Sequence, residues 1–139
     1  MAKRALQVAA VVLAALLLLG LGLLVASERM EVVVLASRDA SGAAHETRLW
    51  IVDSDDSTWL RCGSSERDWL ARVRANPEVE LRRGGTLARF RAVVVDDPAV
   101  AARVDELMRE KYGVTDLLIQ LLEGRPQGVP VRLVPRVPN

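Results

Sequence analysis

The first thirty residues contain one long apolar segment. From residue 5 to residue 26 no side chain carries a charge, and Gln7 is the only strongly polar one. As an α-helix these 22 residues would be about 33 Å long, enough to cross the hydrocarbon core of a bilayer. A helix inside a small soluble domain would need a polar face, and residues 11–25 provide none. The pattern therefore predicts a transmembrane helix over residues 5–26.

A secretory signal peptide is the closest alternative for this segment. Its apolar core is typically about 7 to 15 residues long and is followed by small residues in an A-x-A pattern. Here the apolar run is longer and ends in the sequence Val25-Ala26-Ser27-Glu28-Arg29. We therefore expect the helix to remain in the mature protein as a single-pass anchor in the lipid bilayer.

After residue 30 the pattern changes to short alternating segments separated by turn sequences. Runs rich in β-branched residues, bounded by turns such as Ser41-Gly42 and Gly84-Gly85, are typical of strands. They predict six strands, at residues 31–38, 43–52, 58–62, 78–82, 86–95 and 129–134. Apolar residues spaced every three or four positions predict helices at residues 66–75, 98–112 and 115–123.

The order of these elements defines the fold class. Three strands, a helix, two strands, two helices and a strand match neither a parallel sheet nor a helical bundle, whereas six antiparallel strands can close into a small barrel. Residues 31–139 are enough for one domain and too few for two. We therefore predict an α+β chain in which an anchor with a short linker, residues 1–30, precedes a six-stranded antiparallel barrel with flanking helices, residues 31–139.

Several local signals refine the element boundaries. Ser65 is predicted to cap the first helix of the domain, with Asp68 at its third position. Asp97 before a proline marks the start of the next helix, and Gly113 marks its end. The prolines of the last strand restrict it to a sheet edge or to ladder positions that need no donor.

Charge and aromatic content argue against a nucleic-acid partner. Residues 31–139 contain 16 Lys and Arg against 17 Asp and Glu, a net charge of −1, so no basic field attracts a polyanion. The aromatic residues are not interleaved with a basic stripe, as base stacking requires. These residues are Trp50, Trp59, Trp69, Phe90 and Tyr112.

Cys62 and His45 are the only residues of their types. A single cysteine allows neither an intrachain disulfide nor a thiolate metal site, and its strand-like neighbours favour a small buried hydrophobe. Cys62 and His45 form the only cysteine–histidine pair that could act as nucleophile and base. Nothing in the sequence brings the two side chains together. We assign no catalytic residue and expect no metal.

The Gly63-Ser64-Ser65 turn stands where a strand leads into a helix. Backbone amides and hydroxyls at a helix N-terminus favour an anion, so this turn is the first candidate for a bound phosphate. Since every helix needs a start, the alternative is an ordinary connection.

Several segments resemble the split β-barrel family of pyridoxamine phosphate oxidases and flavin reductases, most closely its deazaflavin-dependent nitroreductase branch. They are Ser41-Gly42 with residues 46–49, Cys62-Gly63-Ser64-Ser65, Trp69-Leu70, Ala75-Asn76-Pro77-Glu78-Val79 and residues 129–133. The resemblance covers residues 32–135 and implies a split barrel, a homodimer and bound FMN or deazaflavin. In that branch an arginine of the second strand and the loop after the third strand hold the phosphorylated tail of the cofactor. The cofactor contacts implied here are Arg48, Gly63, Ser64, Ser65 and Trp69.

Two of these contacts have structural alternatives. Arg48 is equally compatible with a surface ion pair to Glu46 or Asp53. Trp69 lies on the apolar stripe of its predicted helix, which favours packing in the core over contact with a ligand.

The sequence also departs from the branch at two places. Ala40 stands where a lysine commonly precedes the Ser41-Gly42 turn, which removes one phosphate partner. Apolar residues occupy positions 117–122, where the branch often has tyrosines that orient or protonate the substrate, and only Tyr112 lies upstream. The substrate chemistry of the branch is therefore not transferable.

The resemblance implies a membrane-anchored reductase that passes hydride from a reduced flavin or deazaflavin to a small quinone or nitro-aromatic acceptor. This function places the domain in the cytoplasm, where the reduced cofactor is expected. Lys3 and Arg4 favour the opposite orientation, with a cytoplasmic N-terminus, while Arg29 and Arg38 lie on the other side of the span and leave the bias slight.

The alternative function is a non-catalytic barrel, tethered to the membrane, that binds a ligand or a partner chain. An arginine cluster around the Gly84-Gly85 turn fits contact with lipid phosphates or with an acidic partner. A solvated hairpin face explains the same cluster. Its members are Arg82, Arg83, Arg89 and Arg91.

Overall fold

The computed structural model describes residues 1–28, 30–63, 67–123 and 128–137. The chain forms two compact units, Met1–Met30 and Glu31–Asn139. Two of the implied cofactor contacts, Ser64 and Ser65, lie outside the described residues.

The first unit is a single helix, α1, which spans Ala2–Glu28. Its segment Ala2–Gly22 is long and apolar enough to cross a membrane, with a mean hydropathy of 2.4. The leucine and valine side chains along this segment are exposed, so the helix has no polar face that would suit it to water.

The second unit is a closed six-stranded barrel with three helices. Its strands are β1 (Val32–Arg38), β2 (Ala44–Ser54), β3 (Ser57–Cys62), β4 (Glu78–Arg83), β5 (Thr86–Val94) and β6 (Val129–Pro135). Its helices are α2 (Asp68–Ala75), α3 (Pro98–Tyr112) and α4 (Val114–Glu123). The strands pair in the order β1-β2-β3-β6-β5-β4, and all neighbours are antiparallel. The predicted α+β fold with an antiparallel barrel is confirmed.

The last strand closes the barrel in spite of its prolines. β6 pairs with β3 on one side and with β5 on the other, so it is not an edge strand. Pro130 precedes the first residue paired with β5, and Pro135 follows the last residue paired with β3. The prolines therefore do not place β6 at a sheet edge. They lie at ladder positions where no backbone hydrogen-bond donor is required, which is the second of the two predicted placements.

Alternation along the strands builds the core. Leu49 and Ile51 of β2 face the barrel interior, whereas Trp50 points outward and stacks on Tyr112 of α3 with ring centroids 4.4 Å apart. Helix α2 packs against β1 and β5 and adds its own apolar stripe. The buried core comprises Val33, Leu35, Ile51, Leu60, Cys62, Trp69, Leu70, Val73, Val79, Leu81, Ala92, Val131 and Leu133.

The helix boundaries agree with the sequence at α3 and differ at α2. Asp97 accepts a hydrogen bond from the Ala99 amide at 2.9 Å, and Gly113 ends α3 with a positive φ of 62°. Helix α2, in contrast, begins at Asp68 with Arg67 in the cap position and no side-chain cap. The helix thus starts two residues later than the predicted residue 66, and Ser65, the predicted cap, lies outside the described residues.

An ion network ties the barrel to α3. Arg83 of β4 donates to the Glu31 carboxylate at 2.8 and 2.9 Å and to Asp53 of β2 at 2.7 and 3.2 Å. Lys111 of α3 donates to Glu31 at 2.6 Å and to the carbonyl of Ile51 at 2.8 Å. The network therefore joins the residue before β1, two strands and a helix.

The hydroxyl of Tyr112 extends the ladder between β1 and β2. The last paired residues are Val32 and Trp50, which makes Glu31 and Ile51 the next pair. There the hydroxyl lies 2.8 Å from the carbonyl of Glu31 and 2.7 Å from that of Ile51, and it accepts the Ile51 amide at 3.1 Å. The end of α3 thus satisfies backbone groups that the strands leave unpaired.

The Arg83 network predicts a pH-dependent contribution to stability. Hydrogen bonds from Arg83 are the largest cause that lowers the pKa of Glu31 and Asp53 below their usual 4.5 and 3.8. A carboxyl whose pKa is lower in the folded state stabilises the protein above its unfolded pKa, and this contribution is lost as the pH falls through the folded value. We expect Arg83→Met to lower the urea midpoint more at about pH 6 than at about pH 3.

Tryptophan fluorescence of the detergent-solubilised full chain provides the readout. Arg89→Met is the matched control. The Arg89 side chain is 80% exposed, and its ion pair with Glu80 is long at 3.7 Å, so its loss should affect stability little. An equal loss of stability by Arg83→Met at both pH values would contradict the role of the network.

Candidate functional site

The barrel opens where the pairing of β2 with β3 ends. The pair Ile51 and Leu60 is the last between these strands. Before it, residues 47–50 of β2 pair with β1, and after it residues 61–62 of β3 pair with β6. The two strands therefore diverge, and we call the opening between them the split.

A cavity of about 230 Å³ lies in the split. Residues 47–50 form one wall and residues 61–63 another, while Arg67, Trp69, Met108 and Ile119 complete the lining. The split cavity thus brings together three of the implied cofactor contacts, which are Arg48, Gly63 and Trp69. The described lining residues include three arginines and no carboxylate. Arg61 is neutralised by Asp105 and Asp116 and Arg67 has interactions of its own, so the charge that suits an anion is that of Arg48.

Arg48 has a guanidinium suited to such an anion. Its side chain is exposed and forms no hydrogen bond or ion pair with any residue that the structure describes. The surface-pair alternative is wrong, because Glu46 lies 3.6 Å from Arg82 and Asp53 lies 2.7 Å from Arg83. The charge of Arg48 therefore remains available at the edge of the cavity.

Trp69 has a role in the core as well as a place in the cavity wall. The residue is only 4% exposed and packs in the barrel core. One part of it nonetheless borders the split cavity. Gly63, which follows the last residue of β3, is half-buried and also lines the split cavity.

The start of α2 contributes a charge of each sign. Arg67, in the cap position, lines the split cavity, and Asp68 occupies the first turn of the helix. The carboxylate of Asp68 opposes the attraction of the helix N-terminus for an anion. The positive charge available at the cavity therefore comes from Arg48 rather than from the helix dipole.

A buried ion cluster fixes the end of β3. Arg61 donates from Nη1 to Asp105 of α3 at 3.1 Å and from Nη2 to Asp116 of α4, and Gln120 donates to the other oxygen of Asp116 at 3.3 Å. The Arg61 side chain is 10% exposed and that of Asp116 is fully buried. A Cβ atom at Gly128 would lie 2.6 Å from Cδ of Arg61, so only glycine leaves room for this side chain.

Two carboxylates face one guanidinium in this cluster. Burial raises the pKa of the Asp105 carboxyl, and the positive charge of Arg61 opposes that shift. Removing a partner from a buried ion pair leaves an uncompensated charge, which is more costly than replacing the whole pair. The guanidinium of Arg61 is therefore neutralised within the domain, and the side chain serves to fix the cavity wall.

Sequence reasoning missed Arg61 and Arg67 as parts of the site. Arg61 occupies an outward position in the alternation of β3, which usually indicates contact with solvent. Its partners lie 44 and 55 residues away in the sequence, beyond any local pattern. Arg67 carried a signal only in its position, two residues after Ser65 of the Gly63-Ser64-Ser65 turn.

The turn between β1 and β2 is closed by its own carboxylate. Asp39 accepts hydrogen bonds from the amides of Ser41 and Ala43 at 2.9 and 3.1 Å and pairs with His45 at 2.7 Å. The Ser41 hydroxyl is the largest of several partners that hold the pKa of Asp39 well below its usual range. His45 is thus engaged across this turn, whereas Cys62 is buried in the core, and neither observation supports a nucleophilic pair.

The arginine cluster of the hairpin is mostly neutralised within the domain. Arg82, Arg83 and Arg89 each lie within 4 Å of a carboxylate. A larger cavity of about 330 Å³ nearby is lined by Glu78 and Glu80 as well as by arginines. Mixed charge makes it a poorer anion site than the split cavity.

Solved structures share this fold, although no protein-family model and no curated protein matches the sequence. The heme storage protein HutZ from Vibrio cholerae gives a TM-score of 0.63 at 16% identity, covering 84% of this chain and 89% of that one. A provisionally named pyridoxamine 5'-phosphate oxidase from Listeria innocua gives 0.59 at 20% identity, covering 84% and 92%.

A reductase dependent on reduced F420 gives a TM-score of 0.58 at 19% identity, covering 75% of this chain and 93% of its own. At sequence identities below 25%, these TM-scores show a shared fold and nothing more. The predicted split β-barrel is therefore confirmed, and proteins with this barrel include a reductase dependent on reduced F420 and a heme storage protein.

The Arg61 cluster predicts a large effect of a single substitution on stability. Arg61→Met keeps the length of the side chain but leaves the buried carboxylates of Asp105 and Asp116 without their cation. We expect a loss of about 3–5 kcal/mol in the free energy of unfolding, measured by urea titration in detergent.

Arg103→Met on α3 is the matched control. Arg103 pairs with Glu106 at 2.9 Å on an exposed helix face, so its loss should cost at most about 0.5 kcal/mol. Equal effects of the two substitutions would contradict a structural role for the cluster.

Proposed function

We propose that this protein is a membrane-anchored reductase that binds a flavin or deazaflavin by its phosphorylated tail in the split cavity. The observation that carries the proposal is the unpaired guanidinium of Arg48 at the edge of the split cavity. The barrel shared with an F420-dependent reductase supports the same assignment.

The residues present suit a phosphorylated tail. Arg48 would pair with phosphate through charge-assisted hydrogen bonds, and Arg61, neutralised by Asp105 and Asp116, would keep the cavity wall in place. The backbone at Gly63, where a strand ends without a side chain, allows close approach of an anion. When bound, the cofactor would supply the hydride chemistry. The chain itself would contribute binding, orientation and charge.

The size of the cavity supports assembly as a homodimer. Ligand pockets usually have volumes of about 300–1,000 Å³, and the split cavity measures about 230 Å³. A space of this size suits the phosphorylated tail better than the entire cofactor. We therefore propose that a second copy of the chain covers the remainder of the cofactor.

The acceptor would be a small apolar molecule. We propose that residues 5–26 anchor the domain to the bilayer, where quinones and nitro-aromatic compounds concentrate. A redox-active domain would lie on the cytoplasmic side, with its supply of reduced cofactor.

A non-catalytic binding module is the second candidate function. The turn between β1 and β2 favours it, because the Asp39 carboxylate lies there and Ala40 offers no cation for a phosphate. The heme storage protein with the same barrel illustrates a function other than hydride transfer.

Arg48→Ala tests the reductase proposal. One charge-assisted hydrogen bond is worth about 1.5–3 kcal/mol, so we expect affinity for FMN or deazaflavin to fall about ten- to a hundredfold. The thermal midpoint without ligand should change little, because an exposed arginine adds little to folding. Titration of both cofactors by fluorescence quenching measures the affinities.

Arg132→Ala is the matched control for charge. Arg132 is exposed on β6 and is absent from the cavity lining, so its removal should leave the affinity unchanged. If the wild-type protein binds neither cofactor, or if Arg48→Ala binds as tightly, the binding module becomes the better account.

The anchor has a separate test. Deleting residues 1–28 should release a soluble folded domain, whereas the full chain should stay with membranes in high salt, because apolar burial does not depend on ionic strength. The intact mass of the membrane-bound chain should equal that of a chain in which residues 1–30 are still present. Recovery of a chain that begins after residue 26, or a full chain that high salt extracts from membranes, would refute the anchor.

A further inference from the structure

Helix α4 has its polarity inverted relative to a helix on a soluble domain. Its polar residues face inward, where Asp116 is fully buried against Arg61 and Gln120 donates to Asp116. Its outward residues are apolar and between 44% and 86% exposed. These residues, which we call the α4 apolar face, are Val114, Leu117, Leu118, Leu121 and Leu122.

The α4 apolar face forms one continuous stripe. Its positions follow the i, i+3, i+4, i+7, i+8 spacing that places side chains on a single side of a helix. None of its residues is charged. A domain that met only water on this side would turn the leucines inward and Asp116 outward. The arrangement therefore points to an apolar neighbour.

The rest of the chain indicates which neighbour this is. Residues 23–31 separate the apolar segment Ala2–Gly22 from the start of β1, and nine residues span at most about 30 Å. A domain tethered over so short a distance meets the bilayer at a high effective concentration, so a modest apolar contact is sufficient.

A second copy of the chain fits this face less well. A helix of 10 residues is about 15 Å long and about 10 Å wide. Its outward side is therefore far smaller than the roughly 800 Å² per partner that a stable protein interface usually buries. A lipid surface sets no such requirement for a domain that is already tethered.

We propose that α4 docks on the bilayer, with the α4 apolar face among the acyl chains of the outermost lipids. This inference rests on the anchor proposed above. It also deepens the proposed function, because Ile119 of α4 lines the split cavity. Docking places this wall of the cavity next to lipid, so an apolar acceptor reaches the site from the bilayer.

The test uses the full chain reconstituted in phosphatidylcholine vesicles. A polarity-sensitive fluorophore is attached at Leu121→Cys and, in a second variant, at Leu118→Cys, two exposed positions of the α4 apolar face. Ala102→Cys, exposed on α3, is the control. The parent chain gives the background labelling, since Cys62 is buried.

Docking predicts that nitroxide-labelled lipid quenches the fluorophore at 121 and 118 and that iodide in the water does not. At the control position 102, iodide should quench the fluorophore and nitroxide-labelled lipid should not. Quenching by iodide at 121 and 118 would overturn the proposal. Protection from both quenchers, with energy transfer between labelled copies that disappears on dilution with unlabelled chain, would assign the face to a second copy and overturn it too.

Flotation of the same vesicles separates this inference from the anchor. A chain that fails to float with the vesicles refutes the anchor, and the docking of α4 falls with it. A chain that floats while the labels on α4 stay accessible to iodide refutes only the docking.

Discussion

The buried guanidinium of Arg61, held between Asp105 and Asp116, is the interaction on which the site depends. Arg61 follows the last residue that β3 pairs with β2, and its two partners come from α3 and α4. Buried charges must remain paired, so neither helix can shift without a large electrostatic cost. The cluster thus holds both helices against the end of β3, at the place where the strands separate. Gly128 contributes by leaving space for the arginine stem.

Two kinds of positive charge result from this arrangement. Arg61 is neutralised by its own partners and serves chiefly to fix the wall of the split cavity. Arg48 lies on the opposite wall without a partner among the described residues, so its guanidinium is free to bind an anion. Other arginines of the surface, such as Arg83, form ion pairs with carboxylates and stabilise the fold. The domain is close to neutral as a whole, so the unpaired charge of Arg48 is a local feature.

Elements with strong local patterns were predictable from the sequence. Strand alternation located all six strands, and the caps at Asp97 and Gly113 located α3, because these signals depend on neighbouring residues. The start of α2 was predicted wrongly, since Ser65 offered a good capping residue and Arg67 takes that position. The partners of Arg61 could not be predicted, because the contacts form only when distant helices pack on the barrel. The resemblance to split-barrel reductases supplied Arg48, for which local sequence gave only a strand position.

Hydrogen–deuterium exchange of the full chain in detergent, with and without FMN or deazaflavin, tests the central claim that the split cavity holds a phosphorylated cofactor. The backbone of residues 47–50 and 61–63 borders the cavity from two strands that do not pair with each other there. A bound cofactor should therefore slow amide exchange in both segments together. Exchange in the β4–β5 hairpin around Gly84, none of whose residues lines the cavity, should stay unchanged. Unchanged exchange in both segments at saturating cofactor, or protection confined to another part of the barrel, would contradict the account.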